Sequence, residues 1–339
     1  MNVLLSDSSH PKSYDFDTLK QQAIGGTESS LLRIAAILAG HSHQITIYQQ
    51  ARQHQTQQNK VNFIGPQHID SLENIDVVVV LRKDKQLNTW QQRFPKARTF
   101  LWLHTYKKWE FIFKRLFKHN RQAMIIGNSK THAKHLNQQL HRNLFGRLLT
   151  AIGVPKLLVA HGYNPVPKPE LTQSVKRNPN KLIFLSAPNK GLEEVLKLFQ
   201  KVKAAMPDMS LYIANPGYRD QTDIKQPGVH ILGALPQAEL WQHMAESLCV
   251  FYPQTTFAET FGLIYAEANA LGTPVLAHDI GAAREILHPQ NPLTDCHSTN
   301  LVIDCLQRWQ EKLPAVQYRD TFANQAIYLQ WSQLLALEI

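Results

Sequence analysis

Two glutamates, Glu259 and Glu267, stand eight residues apart in FAETFGLIYAEANALGTPV (Phe257 to Val275), with Phe261, Gly262 and Leu263 between them. The preceding SLCVFYPQ reads as a strand and a loop, which puts Glu259 in the loop and predicts a helix over Gly262 to Ala270. Free N–H groups at the start of such a helix carry partial positive charge and suit a phosphate. A glycine there lets the phosphate approach closely. Glu267, about one and a half turns inside, can accept hydrogen bonds from vicinal sugar hydroxyls, as acidic residues do with ribose. The stretch therefore offers a carboxylate, a phosphate cradle and a ribose acceptor in a row. The spacing alone also fits an amphipathic helix with two surface glutamates.

The elements that must hold these groups recur in two rounds. Val3 to Leu5 reads as a short buried strand, and Leu31, Leu32, Ala35, Ala36 and Leu38 mark a helix face that Gly40 stops. Ile45 to Tyr48 resumes a strand, completing a βαβ unit and favouring a parallel sheet. Further strands are expected at Val77 to Leu81, Thr99 to Leu103, Met124 to Ile126 and Leu157 to Ala160. The proline-rich segment His161 to Asn180 reads as a linker. The rhythm then restarts, with strands at Lys181 to Ser186, Ser210 to Ala214, Leu248 to Tyr252 and Pro274 to Ala277, and a helix over Leu192 to Ala205. The expectation is an α/β chain of two Rossmann-like domains with a cleft between them. Ligands of open α/β sheets bind beyond the carboxyl ends of the strands.

Hydrophobic residues make up 43% and charged residues 18% of the 339, an ordinary globular composition. No apolar run is long enough to span a bilayer, and the N-terminus lacks the pattern of a signal peptide. Cys249, Cys296 and Cys305 match no zinc or disulfide spacing, so a cytoplasmic location is expected. The net charge of +10 is uneven. Met1 to Ala160 holds 22 lysines and arginines against nine acids, a net +13, and the remainder holds 14 against 17, a net −3. An anionic partner for the first half is implied. No RNA or DNA motif is present, so nucleic acid is not expected.

The full pattern Glu-x-Phe-Gly-Leu-x-x-x-Glu-Ala, followed by Ala-x-Gly-Thr-Pro-Val, resembles the signature of retaining glycosyltransferases of the GT-B fold, the group-1 or family-4 class. The resemblance extends along the chain in order, through GGTE (Gly25 to Glu28), GHSHQITIY, PNKGLEEVLKLF, ILGALPQAELWQHMAESLCVFYPQ, GAAREIL and the closing TFANQAIYLQWSQLL. Support is weakest between Gln49 and Asp76. It implies an acceptor domain at 1–162, a nucleotide-sugar domain at 163–316, and a C-terminal crossover helix at 317–339 returning to the first domain. It further implies transfer of a sugar from a nucleotide diphosphate-sugar to a hydroxyl of a saccharide, protein or lipid-linked acceptor, without a metal or other cofactor. A sugar-nucleotide epimerase or phosphorylase of the same architecture, and a non-catalytic nucleotide-sugar binding protein, are the alternatives.

The resemblance assigns roles residue by residue. Glu259 touches the donor sugar near its anomeric centre, and Glu267 holds the ribose. The amides of Phe261, Gly262 and Leu263 approach the sugar and diphosphate. Lys190 neutralises the leaving diphosphate, a fixed cation acting with a helix dipole where a metal would otherwise serve. Gly25 and Gly26 face the same diphosphate from the first domain. His104, at the end of a strand in LWLHTY, matches a histidine that approaches the reacting sugar. Two departures stand out. The family's Gly-Arg after the first donor-domain strand is replaced by Ser186 and Ala187, and its Asn-Gly-x-Asp before the linker reads His161 to Asn164.

Other features carry less. DFD (Asp15 to Asp17) looks like a metal-binding Asp-x-Asp but falls in an N-terminal loop rather than after several βα units. HSH and THAKH lack companions for a metal. KKWEFIFKRLFKHNR (Lys107 to Arg121) sets Trp109, Ile112, Phe113, Leu116 and Phe117 on one stripe among basic residues. That composition suits either an anionic membrane surface or packing on the domain's own sheet.

Overall fold

The computed structural model of the chain describes residues 1–108, 111, 123–171, 174–214 and 224–337. They form two α/β units, the first comprising Met1–Phe16, Thr27–Pro165 and Asn324–Ile339, the second Asp17–Gly26 and Val166–Ala323. The breaks fall at 165/166 and 323/324, where the sequence expectation was 162/163 and 316/317, and a ten-residue N-terminal piece joins the second unit.

The strands of the first unit are β1 (Asn2–Asp7), β2 (Gln44–Gln49), β3 (Thr56–Gln58), β4 (Val61–Ile64), β5 (Val77–Leu81), β6 (Arg98–Trp102), β7 (Met124–Gly127) and β8 (Val159–His161). They make one sheet in the order β3-β4-β2-β1-β5-β6-β7-β8. All neighbours are parallel except β3 with β4. That hairpin was not expected from sequence. Its two-residue turn, Asn59 and Lys60, has φ of 49° and 63°, the doubly left-handed backbone that usually announces itself as Asn-Gly. The helices here are α1 (Phe16–Gln21, most of which belongs to the second unit), α2 (Gly26–Gly40), α3 (Lys85–Arg93), α4 (Lys130–Asn137) and α5 (Leu144–Ala151). The run Val77–Leu81 is buried at every position, as a central parallel strand covered on both faces must be. Leu4, Val78, Val80, Leu101 and Ile125 pack with Leu87, Trp90, Leu136 and Leu140 in one core.

The second unit carries β9 (Asn178–Leu185), β10 (Ser210–Ala214), β11 (Val229–Gly233), β12 (Ser247–Tyr252) and β13 (Val275–Ala277) in the order β11-β10-β9-β12-β13, all parallel. Its helices are α6 (Leu192–Ala205), α7 (Gln237–Glu246), α8 (Leu263–Ala270), α9 (Ala283–Ile286) and α10 (Thr299–Glu311). A last helix, α11 (Asn324–Leu335), belongs to the first unit. There Trp331 is fully buried, stands edge-on to Trp102 at 4.7 Å, and donates its indole N–H to the Tyr163 carbonyl at 2.9 Å.

Strand order reverses once in each sheet, between β1 and β5 in the first and between β9 and β12 in the second. At such a switch point the loops leave in opposite directions and open a crevice.

Candidate active site

Lys190 follows β9 and Glu259 follows β12, so the switch point of the second sheet brings them together across 69 residues of chain. Lys190 Nζ lies 2.8 Å and 3.1 Å from the two Glu259 carboxylate oxygens. The Tyr252 hydroxyl, at the end of β12, donates to Glu259 Oε1 at 3.0 Å. Burial first, and then the neighbouring Glu259 charge, push the Tyr252 phenol far above its ordinary value, so it stays a proton donor. Glu259 is buried at 7% exposure. The Lys190 side chain is 31% exposed, so one end of the pair faces solvent.

Several glycines are required by this packing. Gly191 caps α6 with φ of +87°, and a Cβ there would meet the Gln254 side chain at 2.4 Å. Gln254 is fully buried and ties the loop after β12 to itself, accepting from the Phe257 and Thr256 amides and donating to the Phe257 carbonyl. The Phe257 ring in turn sits 4.9 Å from Lys190 Nζ. Glu194, in the first turn of α6, accepts from the Thr255 amide at 2.8 Å and from both threonine hydroxyls. Burial raises the Glu194 carboxyl, but these donors outweigh it and hold it below its ordinary range. On the other side, Ala282 N–H donates to the Glu259 carbonyl at 2.9 Å, and a side chain at Gly281 would strike that carbonyl at 2.6 Å.

Gly262 has φ of +83°, and a Cβ there would stand 2.5 Å from the Tyr265 ring. A left-handed residue packed on an aromatic ring is sufficient reason for this glycine, apart from any phosphate. Phe261 turns its ring into the core, edge-on to Phe322 at 5.2 Å, and Leu263 opens α8. Glu267 is buried at 4% exposure and accepts from Gln237 Nε2, at the first residue of α7, at 2.9 Å. Gly25 and Gly26 lie in the second unit, where the sequence reading had them acting from the first domain. A Cβ on Gly26 would stand 3.0 Å from Leu263 Cδ1, so the glycine-rich loop abuts the start of α8.

His104 follows β6 in the first unit. The Trp102 indole N–H donates to Asn128 Oδ1 at 2.7 Å, which orients the Asn128 amide so that Nδ2 donates to His104 Nδ1 at 3.1 Å. The imidazole therefore carries its proton on Nε2. Burial, with help from the positive charge of Arg82, holds His104 well below the ordinary histidine value. It is a neutral N–H donor, and its geometry does not suit a cation or a general acid.

Sequence reading missed four contributors: Tyr252, Gln254, Gln237, and a cluster at the first sheet's switch point. Arg82, immediately after β5, reaches Glu28 Oε1 at 2.6 Å and Asp7 Oδ2 at 3.3 Å, and the Tyr14 hydroxyl donates to Asp7 at 2.8 Å. Arg82 has φ of +61°, a conformation costly for a residue with a side chain and concentrated at functional sites. Ser186 is buried beside Tyr252, and neither it nor Ala187 supplies a cation where the family pattern has arginine. The segment Lys107 to Arg121 lies almost wholly outside the described residues.

Two parallel-sheet α/β units with polar clusters at the carboxyl ends of their central strands define the GT-B glycosyltransferase fold. Residues 168–305, most of the second unit, match the family model described as "Glycosyl transferases group 1". Over 117 residues the chain is 32% identical to a GDP-mannose-dependent monoacylated alpha-(1-6)-phosphatidylinositol monomannoside mannosyltransferase of Corynebacterium glutamicum, covering 31% of this chain and 30% of the relative. Over 104 residues it is 34% identical to the phosphatidyl-myo-inositol mannosyltransferase of Mycobacterium tuberculosis, covering 30% and 27%. The aligned part thus spans under a third of each relative. The fold is similar over 99% of this chain and 98% of the other to sucrose-phosphate synthase from Thermosynechococcus elongatus, with a TM-score of 0.69 and 14% identity.

Proposed function

We propose that the protein is a retaining, metal-independent glycosyltransferase that moves a hexosyl group from a nucleotide diphosphate-sugar to a hydroxyl acceptor. The observation that carries this is the Lys190–Glu259 pair at the switch point of the second sheet, seated beside the head of α8. In the reaction the bond from the anomeric carbon to the diphosphate oxygen breaks, and its electron pair stays on the diphosphate. Lys190 is the cation that meets this charge, and the free amides at the start of α8 add their partial positive charge. Glu259, held by Tyr252, faces the sugar. Glu267 takes the ribose hydroxyls, with Gln237 fixing its carboxylate. The role proposed for His104 is the one that the resemblance gives it, near the reacting sugar. The acceptor's proton leaves with its oxygen's attack and ends on the departing diphosphate or solvent.

The mannosyltransferase relatives make GDP-mannose and an inositol-containing lipid the first donor and acceptor to test. A lipid acceptor needs the protein at a membrane, and no described helix is long and apolar enough to cross one. The first unit instead exposes Leu144 (84%), Leu148 (56%) and Ile152 (66%) at i, i+4 and i+8 along α5, with Leu158 (66%) after it and exposed Arg142, Arg147 and Lys156 interspersed. Apolar and basic residues presented together suit an anionic lipid surface.

Thermal shift with GDP-, UDP- and ADP-sugars identifies the donor, since a ligand at 100 times its Kd adds about 2.7 kcal/mol. Turnover with that donor persists in EDTA, and NMR finds the product's anomeric configuration equal to the donor's. Inverted product, or activity lost on chelation and restored by manganese, overturns the mechanism. Flotation with anionic liposomes, lost in Leu148→Glu, tests the docking surface; equal flotation of both proteins removes it.

A further inference from the structure

We infer a binding site for a late first-row divalent metal ion, with zinc as the fitting probe, formed by His278, Asp295 and His297 in the second unit. One donor atom from each of the three lies within 4.8 Å of the other two. Two loops bring them together. His278 follows β13, and the chain returns beside it where Thr294 N–H donates to the Ala277 carbonyl at 3.0 Å. One residue past Asp295, the Cys296 amide donates to His278 Nδ1 at 3.3 Å. An N–H pointing at Nδ1 means that Nδ1 carries a lone pair. Yet Asp295 Oδ1 lies only 3.8 Å from that same nitrogen. At 3.3 Å the Cys296 N–H contact is long, and a metal on Nδ1 would take the lone pair in its place, with Asp295 beside it and the His297 ring edge-on at 4.9 Å from His278. A cation among the three donors would bind them together. Asp295 is steadied by the His297 amide, which donates to Oδ1 at 3.1 Å.

The donor set selects the ion. Two imidazoles and one carboxylate suit zinc and its first-row neighbours, whereas magnesium and calcium take oxygen. Metal–nitrogen and metal–oxygen bonds of about 2.0–2.2 Å require the donors to draw together by roughly 1 Å. Asp295, at 56% side-chain exposure, and His297, which is exposed, have room to do so. Three protein ligands leave a further position for water or another ligand.

The site has a mechanical reach. The loop that begins at His278 continues to Gly281 and Ala282, which brace the Glu259 carbonyl. An ion held by His278 ties that brace to the 294–297 loop. This role is separate from sugar transfer, in which the ion takes no part, and it does not rest on the proposed reaction.

The test uses the full chain, stripped with a chelator and titrated with Co2+ and Zn2+. One equivalent of Co2+ is expected to give a visible absorption spectrum of low-symmetry nitrogen–oxygen coordination that Zn2+ displaces. Zn2+ is expected to raise the melting temperature. His297→Ala, at an exposed ring where folding is not at stake, and His278→Ala are each expected to weaken binding by at least the roughly 10- to 100-fold that loss of a mere outer-shell partner costs, with Asp295→Asn milder. Absence of saturable binding overturns the site, as does binding undiminished in the His278→Ala, His297→Ala double variant. Donor affinity measured in EDTA keeps the two proposals apart, because the proposed transfer mechanism predicts that it is retained there whether or not this site exists.

Discussion

The two units solve the same problem at the same place with different numbers of charges. At each switch point a tyrosine hydroxyl and a cation converge on a buried carboxylate. In the first, Arg82 is set between Asp7 and Glu28, which are 0% and 6% exposed at their side chains, and Tyr14 seals Asp7. In the second, Lys190 meets one carboxylate, Glu259; the two cations are about equally exposed, Arg82 at 28% and Lys190 at 31% of the side chain. An arginine between two buried carboxylates is a structural lock, because removing it strands two desolvated charges. A lysine on one carboxylate, a point charge with three donors on a flexible stem, can turn to a second anion more readily. The difference separates a cluster that shapes its unit from one that can handle a ligand.

The largest effect that this comparison predicts is on stability. Arg82→Ala is expected to lower the unfolding free energy of the first unit by about 3 kcal/mol or more. Lys190→Ala strands one buried carboxylate that the Tyr252 hydroxyl still serves, and is expected to cost less, on the order of 1–2 kcal/mol. Denaturant melts of the two variants decide it, and equal losses erase the distinction. On turnover the order reverses. Lys190→Ala is expected to reduce kcat by about 100- to 1,000-fold, the scale of losing one charge-stabilising group. Lys190→Arg should recover part of that loss, and a Lys190→Ala enzyme with unchanged kcat assigns the pair to structure after all.

Acid sharpens the contrast from another side. His132, in α4, accepts from the Asn128 amide at Nδ1 and faces the Thr105 carbonyl with Nε2, so it is built in as a neutral ring. Burial is the main cause that lowers it to about 4. A histidine depressed in the fold contributes stability that is complete above its ordinary value of 6.5 and is lost as pH falls from there toward 4. The loss is on the order of 3 kcal/mol, and it should fall on the first unit. Melts of wild type and His132→Gln between pH 7 and 4 are expected to converge as pH drops. Parallel curves rule the histidine out. The smallest effect concerns the donor. Glu267→Ala is expected to weaken donor binding by about 1.5–3 kcal/mol, the worth of a hydrogen bond to a charged group. Glu259→Ala should impair kcat more than binding. Calorimetry on both variants separates them, and full donor affinity in Glu267→Ala sinks the ribose assignment.

The sequence was most readable where one local stretch holds a whole device. Glu259, Gly262 and Glu267 lie on one strand–loop–helix, and the buried run Val77–Leu81 declares its own strand. It was least readable where contacts depend on strand order. Asp7 and Arg82 are 75 residues apart and meet only because β1 lies beside β5. Lys190 and Glu259 could each be picked out, but nothing local says that they pair, nor that Tyr252 sits between strand and loop to hold the acid. Gln237 is an ordinary polar residue at a helix start until α7 packs on α8. The β3–β4 hairpin hid behind Asn59 and Lys60, a turn without its glycine. Even Gly262, found correctly as a helix opening, serves a purpose that spacing could not show: the ring of Tyr265 occupies the space of its absent side chain.

Placement of α11 has a consequence for how the protein is made. Trp331 and Tyr328 pack into the first unit, where Tyr328 stacks on His41 at 3.5 Å and Trp331 wedges against Trp102. These residues are synthesised only after the whole second unit. Growing from the ribosome, the first sheet therefore waits with an apolar face around Trp102 and Tyr163 unfilled, while the second unit, continuous apart from one early ten-residue piece, can consolidate ahead of it. Translation order and folding order run opposite ways, and the earliest-made unit is the one that a nascent-chain chaperone would have longest to hold.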